Sequence, residues 1–354
     1  MPTSLDEYVQ KLNSGEEADR IYAAEDIGYL NTNEAVAPIV DRLSTETSRA
    51  VRDAIFQSLM RIDATASIEG AISLLASEHP QVRNQAVDVL RHKGEAAVPF
   101  LKMAMREGNK HVRKMVLDVL IGFRAIGVEE IYTAALADSD INVAITAVEN
   151  LGKIRAQDFR TQIEELLQGT ASNPMLAGAC LEALAGIGDE RSLAAIHARF
   201  PALSKIPDFL LPPILKTIGA LGAGEEFDEL GGLIAGRKPR QRQAILEALI
   251  AIHSRHPQEH HGEVLLPVIR DSVAETGGTT IDCYQAVRSL RFLTSREDVY
   301  SFLVACLSNP ERLVRLGAIE ALRAAIRPEL QSLFAAHAQQ ERDEEVLQAL
   351  NSKT

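Results

Sequence analysis

Tryptophan is absent from this chain of 354 residues, and aromatic residues make up only 5% of it. A core without large rings must be filled by aliphatic side chains, and the hydrophobic fraction of 46% suits close packing between helices. The three cysteines, Cys180, Cys283 and Cys306, are far apart and lack the spacing of a metal or redox site. We interpret them as small apolar residues in a reducing compartment, which predicts a cytoplasmic protein.

Long apolar runs and excess positive charge are also absent. No segment of about 18 apolar residues occurs, and residues 1–15 lack the apolar block of a signal peptide, so no membrane partner is predicted. The formal net charge of −12 disfavours nucleic-acid binding, which needs a basic stripe to neutralise phosphates. The glycine-rich phosphate and dinucleotide loops, the nucleophile elbow and Cys-x-x-Cys are all missing. We therefore predict no cofactor and no catalytic residue.

What the chain does contain is a repeat, Val-Arg-x-x-Ala-x-x-x-Leu. It begins at Val82, at Val112 (with Val116 in place of the alanine) and at Val314. Looser copies begin at Asp19, Val51, Val143, Leu176, Pro213, Gln241 and Asp282. Most starts are about 30–33 residues apart, and a fixed period of this length is typical of a solenoid.

Residues 33–62 show how one unit is built. Apolar residues at helical spacing predict a first helix over 35–43, and Pro38 inside it predicts a bend. The polar run 44–48 ends that helix, and a second amphipathic helix follows over 51–62. Glycine after the second helix, as at Gly94, Gly188 and Gly222, predicts a left-handed stop. Neither helix can bury its apolar face alone, so several stacked units are needed.

These residues resemble HEAT repeats over roughly residues 4–350. The pattern from Arg20 through Ala23, Ile27 and Gly28 to Ile39 is most similar to the phycobilisome-lyase HEAT-like repeats. The resemblance implies an all-α fold, a right-handed α-solenoid (superhelix) of about ten to eleven helical hairpins. We expect residues 1–354 to form a single array. The irregular, proline-rich segment 197–241 could divide it into sub-arrays 1–200 and 208–354.

Two ladders of charged residues run through the second helices. Arginine occupies the second motif position in Arg20, Arg52, Arg83, Arg113, Arg242 and Arg315. An acid occupies the seventh position in Glu25, Asp88, Asp118, Glu149, Glu182, Glu247 and Glu320. The offset of five residues turns the ladders about 140° apart on the helix. We predict that the arginines join neighbouring units through turn carboxylates and carbonyls, and that the acids face solvent.

The exposed acids have two interpretations, a merely solvated face or a surface that steers a basic partner. On the second interpretation, the candidate partner-binding residues are Asp88, Asp118, Glu149, Arg288 and Glu320, with Phe200 and Phe209 from the irregular segment. Further irregular stretches lie at 253–262 and 275–280. Such insertions often map to a binding face, or they only change the curvature.

Four histidines, His253, His256, His260 and His261, are weak candidates for a metal site. Pro257 interrupts the segment, so we favour a solvated loop without metal. No His-Glu dipeptide occurs, the motif by which the similar repeats of deoxyhypusine hydroxylases hold two irons. The acids at 138–149 imitate calcium-loop spacing, but Val143 replaces the required glycine, and we interpret the segment as a helix cap.

The favoured function is a non-catalytic interaction scaffold or regulatory adaptor that binds a protein or peptide on its concave face. A basic partner is the kind that the acidic ladder would attract. The resemblance also implies an alternative, a bilin (phycocyanobilin) lyase or isomerase subunit. Metal-dependent activity at the histidine-rich loop is a third hypothesis.

Overall fold

The computed structural model describes residues 4–123, 125–170, 173–234, 239–274 and 280–352. Across these ranges the backbone forms α-helices joined by turns and short 3₁₀ segments, and no β-strand occurs among them. Parts of two irregular stretches, residues 235–238 and 275–279, lie outside the described residues. The all-α class inferred from the repeat is confirmed.

The chain divides into two compact units, Met1–Ala156 and Gln157–Thr354. The first unit contains α1 (Leu5–Leu12), α2 (Glu17–Leu30), α3 (Val36–Arg42), α4 (Arg49–Arg61), α5 (Thr65–Leu74), α6 (Pro80–Lys93), α7 (Val98–Glu107), α8 (Lys110–Val119), α9 (Val128–Leu136) and α10 (Ile141–Lys153). The second unit contains α11 (Arg160–Gln168), α12 (Pro174–Ile187), α13 (Glu190–Arg199), α14 (Leu211–Leu221), α15 (Gly224–Leu233), α16 (Pro239–Arg255), α17 (His261–Ala274), α18 (Thr280–Ser289), α19 (Glu297–Cys306), α20 (Arg312–Leu322), α21 (Leu330–Ala338) and α22 (Glu344–Asn351). The segment 197–241 lies inside the second unit, and a division of the array there stays a prediction.

In each unit the helices alternate between two layers. Odd-numbered helices contact the next odd-numbered helix from α1 to α9, and likewise α11 contacts α13 and α17 contacts α19. Even-numbered helices contact the next even-numbered helix from α2 to α10 and from α12 to α22. We call the even-numbered helices the second layer. This is the stacking of helical hairpins that the repeat predicts.

The core lies between the layers and is built from the repeated apolar positions. Leu90, Leu120 and Leu322, which end the three clearest copies of the motif, are all fully buried, as predicted. Small residues let second-layer helices approach closely. A Cβ on Gly28 of α2 would lie only 2.5 Å from Ser58 Oγ of α4, and that hydroxyl donates to the Ala24 carbonyl at 2.7 Å. The packing therefore depends on small side chains at this contact.

Three of the six motif arginines, Arg20, Arg113 and Arg315, join consecutive hairpins through what we call turn clamps. Arg113 Nη1 donates to the Gly108 carbonyl at 2.9 Å, in the turn before its own helix. Its Nε and Nη2 atoms donate to Asp138, in the turn of the next hairpin, at 2.7 and 2.6 Å. Arg20 and Arg315 make the same arrangement with Glu46 and Glu341. The predicted link between units is confirmed for these three arginines, whereas the hydrogen bonds of Arg52 and Arg83 go to carbonyls of the turn before their own helix.

Each clamp acid also holds the turn in which it lies. Asp138 accepts the Asp140 amide at 2.8 Å, and Glu46 accepts the Ser48 amide at 2.8 Å. Burial alone would raise the pKa of Glu46, but hydrogen bonds from Arg20 and the Ser48 amide outweigh it and lower the pKa to about 2. Burial opposes the hydrogen bond from Arg113 at Asp138 as well, and the pKa is again lowered. The calcium-like spacing at 138–149 thus reflects a clamp and a helix cap.

Two local predictions need correction. Gly94 has the expected positive φ of 60°, but Gly188 and Gly222 end their helices with φ of −73° and −67°. A Cβ at Gly188 would lie 2.5 Å from the Leu184 carbonyl oxygen, and one at Gly222 would lie 2.6 Å from that of Ile218. At these two positions glycine is needed for space and not for a left-handed backbone.

The prolines of the first helices differ in a similar way. Pro38, predicted to bend the inside of its helix, lies in the first turn of α3, and Pro99 lies in the first turn of α7, whereas Pro267 lies inside α17. A 3₁₀ segment precedes both of these helices, at Asn33–Ala35 and Gly94–Ala97. A proline in the first turn removes no intrahelical hydrogen bond, because its N–H would have no partner there.

Candidate protein-interaction site

The acids of the first unit form a row along exposed positions of the second layer. We call Glu25, Asp88, Asp118 and Glu149, which lie on α2, α6, α8 and α10, the acidic row. Asp118 is half-buried and the other three are exposed. Asp88 makes only a long ion pair of 3.9 Å with Arg91, and neither Glu25 nor Glu149 forms an ion pair with any residue that the structure describes. The row therefore presents largely uncompensated negative charge.

Two of the three acids at the same motif position in the second unit are neutralised, whereas Glu247 accepts only a hydrogen bond from the neutral Gln243 among the described residues. Glu182 pairs with Lys216, and Glu320 pairs with Arg288 through a contact of 2.6 Å between Oε2 and Nε. Tyr284 also donates its hydroxyl to Glu320 at 2.7 Å. Arg288 and Glu320, both candidate partner contacts, thus bind each other. The charge available to a partner lies mainly in the first unit.

Two tyrosines on the exposed face of α2 escaped the sequence analysis. Tyr22 and Tyr29 are 66% and 70% exposed, and Glu25 lies between them on the same helical face. The Arg61 guanidinium carbon lies 4.1 Å from the Tyr29 ring centroid, which is a cation–π contact. Their spacing relative to Glu25 was the available signal, because residues at i, i+3 and i+7 share a face. Aromatic rings beside acids suit a cationic partner.

The irregular segment forms a groove with a volume of about 410 Å³. The lining residues are Thr170, Pro174, Arg199, Phe200, Pro201, Ala202, Lys205, Ile206, Pro207, Phe209 and Leu210. Phe200 is only 7% exposed, whereas Phe209 is 58% exposed. The two phenylalanines singled out in the sequence therefore line one groove, with Phe200 largely within the core and Phe209 open to solvent.

The histidine-rich segment is not simply a solvated loop, contrary to our interpretation. His253, near the end of α16, and His261, at the start of α17, are both fully buried. Their Nδ1 atoms lie 3.0 Å apart, a hydrogen-bond distance, and the His261 ring stacks on Phe227 with centroids 3.6 Å apart. His256 and His260 are exposed. Pro257 misled the prediction, because it lies in the turn between two helices and leaves the histidines on either side free to enter the core.

The histidine pair is held in its neutral form. Burial, together with repulsion between the two rings, lowers the pKa of His253 to about 4. Burial and nearby His260 also lower the pKa of His261 to about 4, although Asp228 acts in the opposite direction. Among the described residues, no group of three or more His, Cys, Asp or Glu side chains is placed to hold a metal ion. The structure thus pairs two of the four candidate ligands and leaves the others at the surface.

Comparisons with known proteins bear on the fold. No family model and no curated protein matches the chain. A crystal structure of importin beta is similar with a TM-score of 0.65 and 11% sequence identity, covering 98% of this chain, which spans 58% of that one. An engineered protein solved by the Northeast Structural Genomics Consortium aligns at 17% identity over 98% of this chain and 97% of that one, with a TM-score of 0.37.

The importin beta likeness supports a HEAT-type helical repeat fold and shows nothing about activity. The narrower resemblance to phycobilisome-lyase repeats finds no support in these comparisons. In the described part of the chain, every helix is too short or too polar to traverse a bilayer.

Proposed function

We propose that this protein is a non-catalytic scaffold or regulatory adaptor that binds a basic segment of a protein partner along the acidic row. The observation that carries the proposal is the recurrence of acids at one motif position on α2, α6, α8 and α10, of which Asp118 is half-buried and the other three are exposed. Helices of the second layer pack side by side, so the row extends across several repeats. Repeat proteins bind partners through extended surfaces of this kind.

A row of this kind acts mainly on how fast a partner associates and how it is oriented when it arrives. Carboxylates at the surface act through solvent, so each exposed pair is worth only about 0–1 kcal/mol. Several charges of one sign nevertheless sum to a field that speeds the approach of an oppositely charged partner. Tyr22 adds an aromatic face for lysine or arginine at one end of the row, whereas one face of Tyr29 already holds Arg61. The same field repels phosphate, which supports a protein partner over a nucleic acid or an anionic membrane.

The location is part of the proposal. We place the protein in the cytoplasm, and the support is that Cys180, Cys283 and Cys306 are all free thiols, of which Cys180 and Cys306 are buried.

The experiment is affinity capture from the native cell with the unmodified chain, a variant of the acidic row and a control variant. The acidic-row variant carries Asp88→Asn, Asp118→Asn and Glu149→Gln. A control carries Glu69→Gln, Glu107→Gln and Glu129→Gln. These changes remove the same charge from exposed positions on the odd-numbered helices α5, α7 and α9. We expect proteins with basic segments to be retained by the unmodified chain and the control and lost from the triple variant. Equal retention by all three forms contradicts the proposal.

A further inference from the structure

The groove of the irregular segment differs in charge from the rest of this acidic chain. The segment after α13 wraps the groove with apolar side chains, among them Ile206, Phe209 and Leu210. Two cations, Arg199 and Lys205, line it, and no acid is found among its described lining residues. In a chain with 49 acids and 37 lysines and arginines, a purely cationic groove runs against the overall charge.

Arg199 is held in place without a counter-ion. Its Nε donates to Thr170 Oγ1 at 3.4 Å, and its guanidinium carbon lies 4.8 Å from the centroid of the Phe200 ring. Its terminal nitrogens make no hydrogen bond or ion pair with any part of the chain that the structure describes. The acid that precedes Phe209 in sequence, Asp208, accepts a hydrogen bond from Gln241 at 2.9 Å. A half-buried guanidinium with free donors is suited to a carboxylate, which can accept two parallel N–H bonds.

The apolar part of the groove matches an anchoring side chain. Its volume of about 410 Å³ is within the range of pockets that enclose a small ligand or one or two large side chains. Phe209 is 58% exposed, so its ring is open to a partner beside the apolar lining of the groove. Aromatic and aliphatic anchors in such pockets commonly supply most of the energy of a protein interface.

We propose that this groove binds an acidic segment of a partner protein, with one apolar side chain inserted beside Phe209 and a carboxylate paired with Arg199 and Lys205. The proposal rests on the scaffold function and adds a second surface of opposite charge, in the second unit. The acidic row selects basic segments and the groove selects acidic, apolar ones. A scaffold with both could hold two different segments at once.

The test uses the full chain and a labelled synthetic peptide in which aspartates are interspersed with phenylalanine and leucine. Control peptides replace every aspartate with lysine, or every phenylalanine and leucine with serine. Binding is followed by fluorescence anisotropy. We expect only the first peptide to bind, and Arg199→Gln, Lys205→Gln and Phe209→Ala each to weaken it about tenfold. Lys205 is exposed, so its variant keeps the test valid if Arg199→Gln disturbs folding.

Matched control variants are Arg106→Gln and Ile326→Ala, which remove an exposed cation and an exposed apolar side chain away from the groove. Both should bind the peptide like the unmodified chain. The inference is overturned if the lysine peptide binds as well, or if the groove variants leave binding of the acidic peptide unchanged. Self-association that Phe209→Ala abolishes would also overturn it, in favour of a second copy as the occupant. The two proposals fail separately. Equal capture by the acidic-row variant and the unmodified chain, with selective binding of the acidic peptide, would refute the acidic row and leave the groove standing. Loss of capture by that variant, with no selective peptide binding, would refute the groove and leave the acidic row standing.

Discussion

Removing one turn clamp should weaken the link between two hairpins far more than removing an exposed ion pair nearby. The Arg113 side chain is 17% exposed and that of Asp138 is 7% exposed, so their charges are shielded from water. In Arg113→Met, the Asp138 carboxylate keeps the hydrogen bond from the Asp140 amide and loses those from Arg113. The hydrogen bond to the Gly108 carbonyl is lost as well. We expect a cost of about 2–4 kcal/mol, because a buried carboxylate then lacks its counter-ion.

The matched control is Lys110→Met. The Lys110 side chain is 56% exposed, and its Nζ lies 3.5 Å from Asp140 Oδ2. Removing this exposed ion pair should lower the free energy of unfolding by less than about 1 kcal/mol. Hydrogen exchange measured by mass spectrometry gives the free energy of local opening in α8–α10, with the second unit as an internal reference. A double-mutant cycle with Asp138→Asn should show coupling of about 1–3 kcal/mol. Equal effects of Arg113→Met and Lys110→Met, or no coupling in the cycle, would refute the clamp argument.

Three further outcomes follow from the packing and the histidine pair. Because the pKa values of His253 and His261 are lowered from 6.5 to about 4, the unfolded chain binds more protons between these pH values, and stability should fall as pH drops through this window. Acid titration of the melting temperature should show this loss, and a double replacement by Phe and Leu that left the profile unchanged would contradict it. Leu120→Ala should cost about 2–5 kcal/mol, confined to neighbouring helices, and exchange that rose equally in both units would oppose this expectation. Gly28→Ala should destabilise by about 1–3 kcal/mol through its clash with α4, whereas Gly232→Ala, with open space around it, should be neutral or stabilising in urea unfolding; the reverse order would exclude the close contact.

Periodicity made the architecture and the clamps predictable. The motif leucines enter the core, and motif arginines such as Arg113 bind the turn of the next repeat, so their roles can be interpreted from spacing alone. The burial of His253 depends instead on Phe292 and on His261, whose ring stacks on Phe227, and these partners come from three other elements. No local pattern encodes such an encounter. Gly188 similarly resembles a left-handed helix stop in the sequence. In the structure a Cβ there would lie 2.7 Å from Leu221 Cδ1 of another hairpin, and spacing within one helix cannot predict that contact.

For the acidic row, too, the sequence spacing predicted one property and the packing of neighbouring helices determined another. The spacing correctly predicted that Glu25, Asp88 and Glu149 are exposed, because an offset within one helix determines which side a residue faces, whereas Asp118 is half-buried. Whether an acid is compensated depends on the neighbouring helix. Glu320 is paired with Arg288 of α18, and Glu149 has no ion pair among the described residues, although the two occupy the same motif position. Only the structure distinguishes them.

The most direct test of the proposed function is the association rate of a captured partner, measured at about 0.1 M and about 1 M salt, where the Debye length is about 10 Å and about 3 Å. For the unmodified chain the rate should fall about tenfold or more as salt rises, because the acidic row accelerates encounter. The variant with Asp88→Asn, Asp118→Asn and Glu149→Gln should associate more slowly at low salt and respond little to salt. If its rate and salt dependence match those of the unmodified chain, the acidic row is only a solvated face and the partner binds elsewhere.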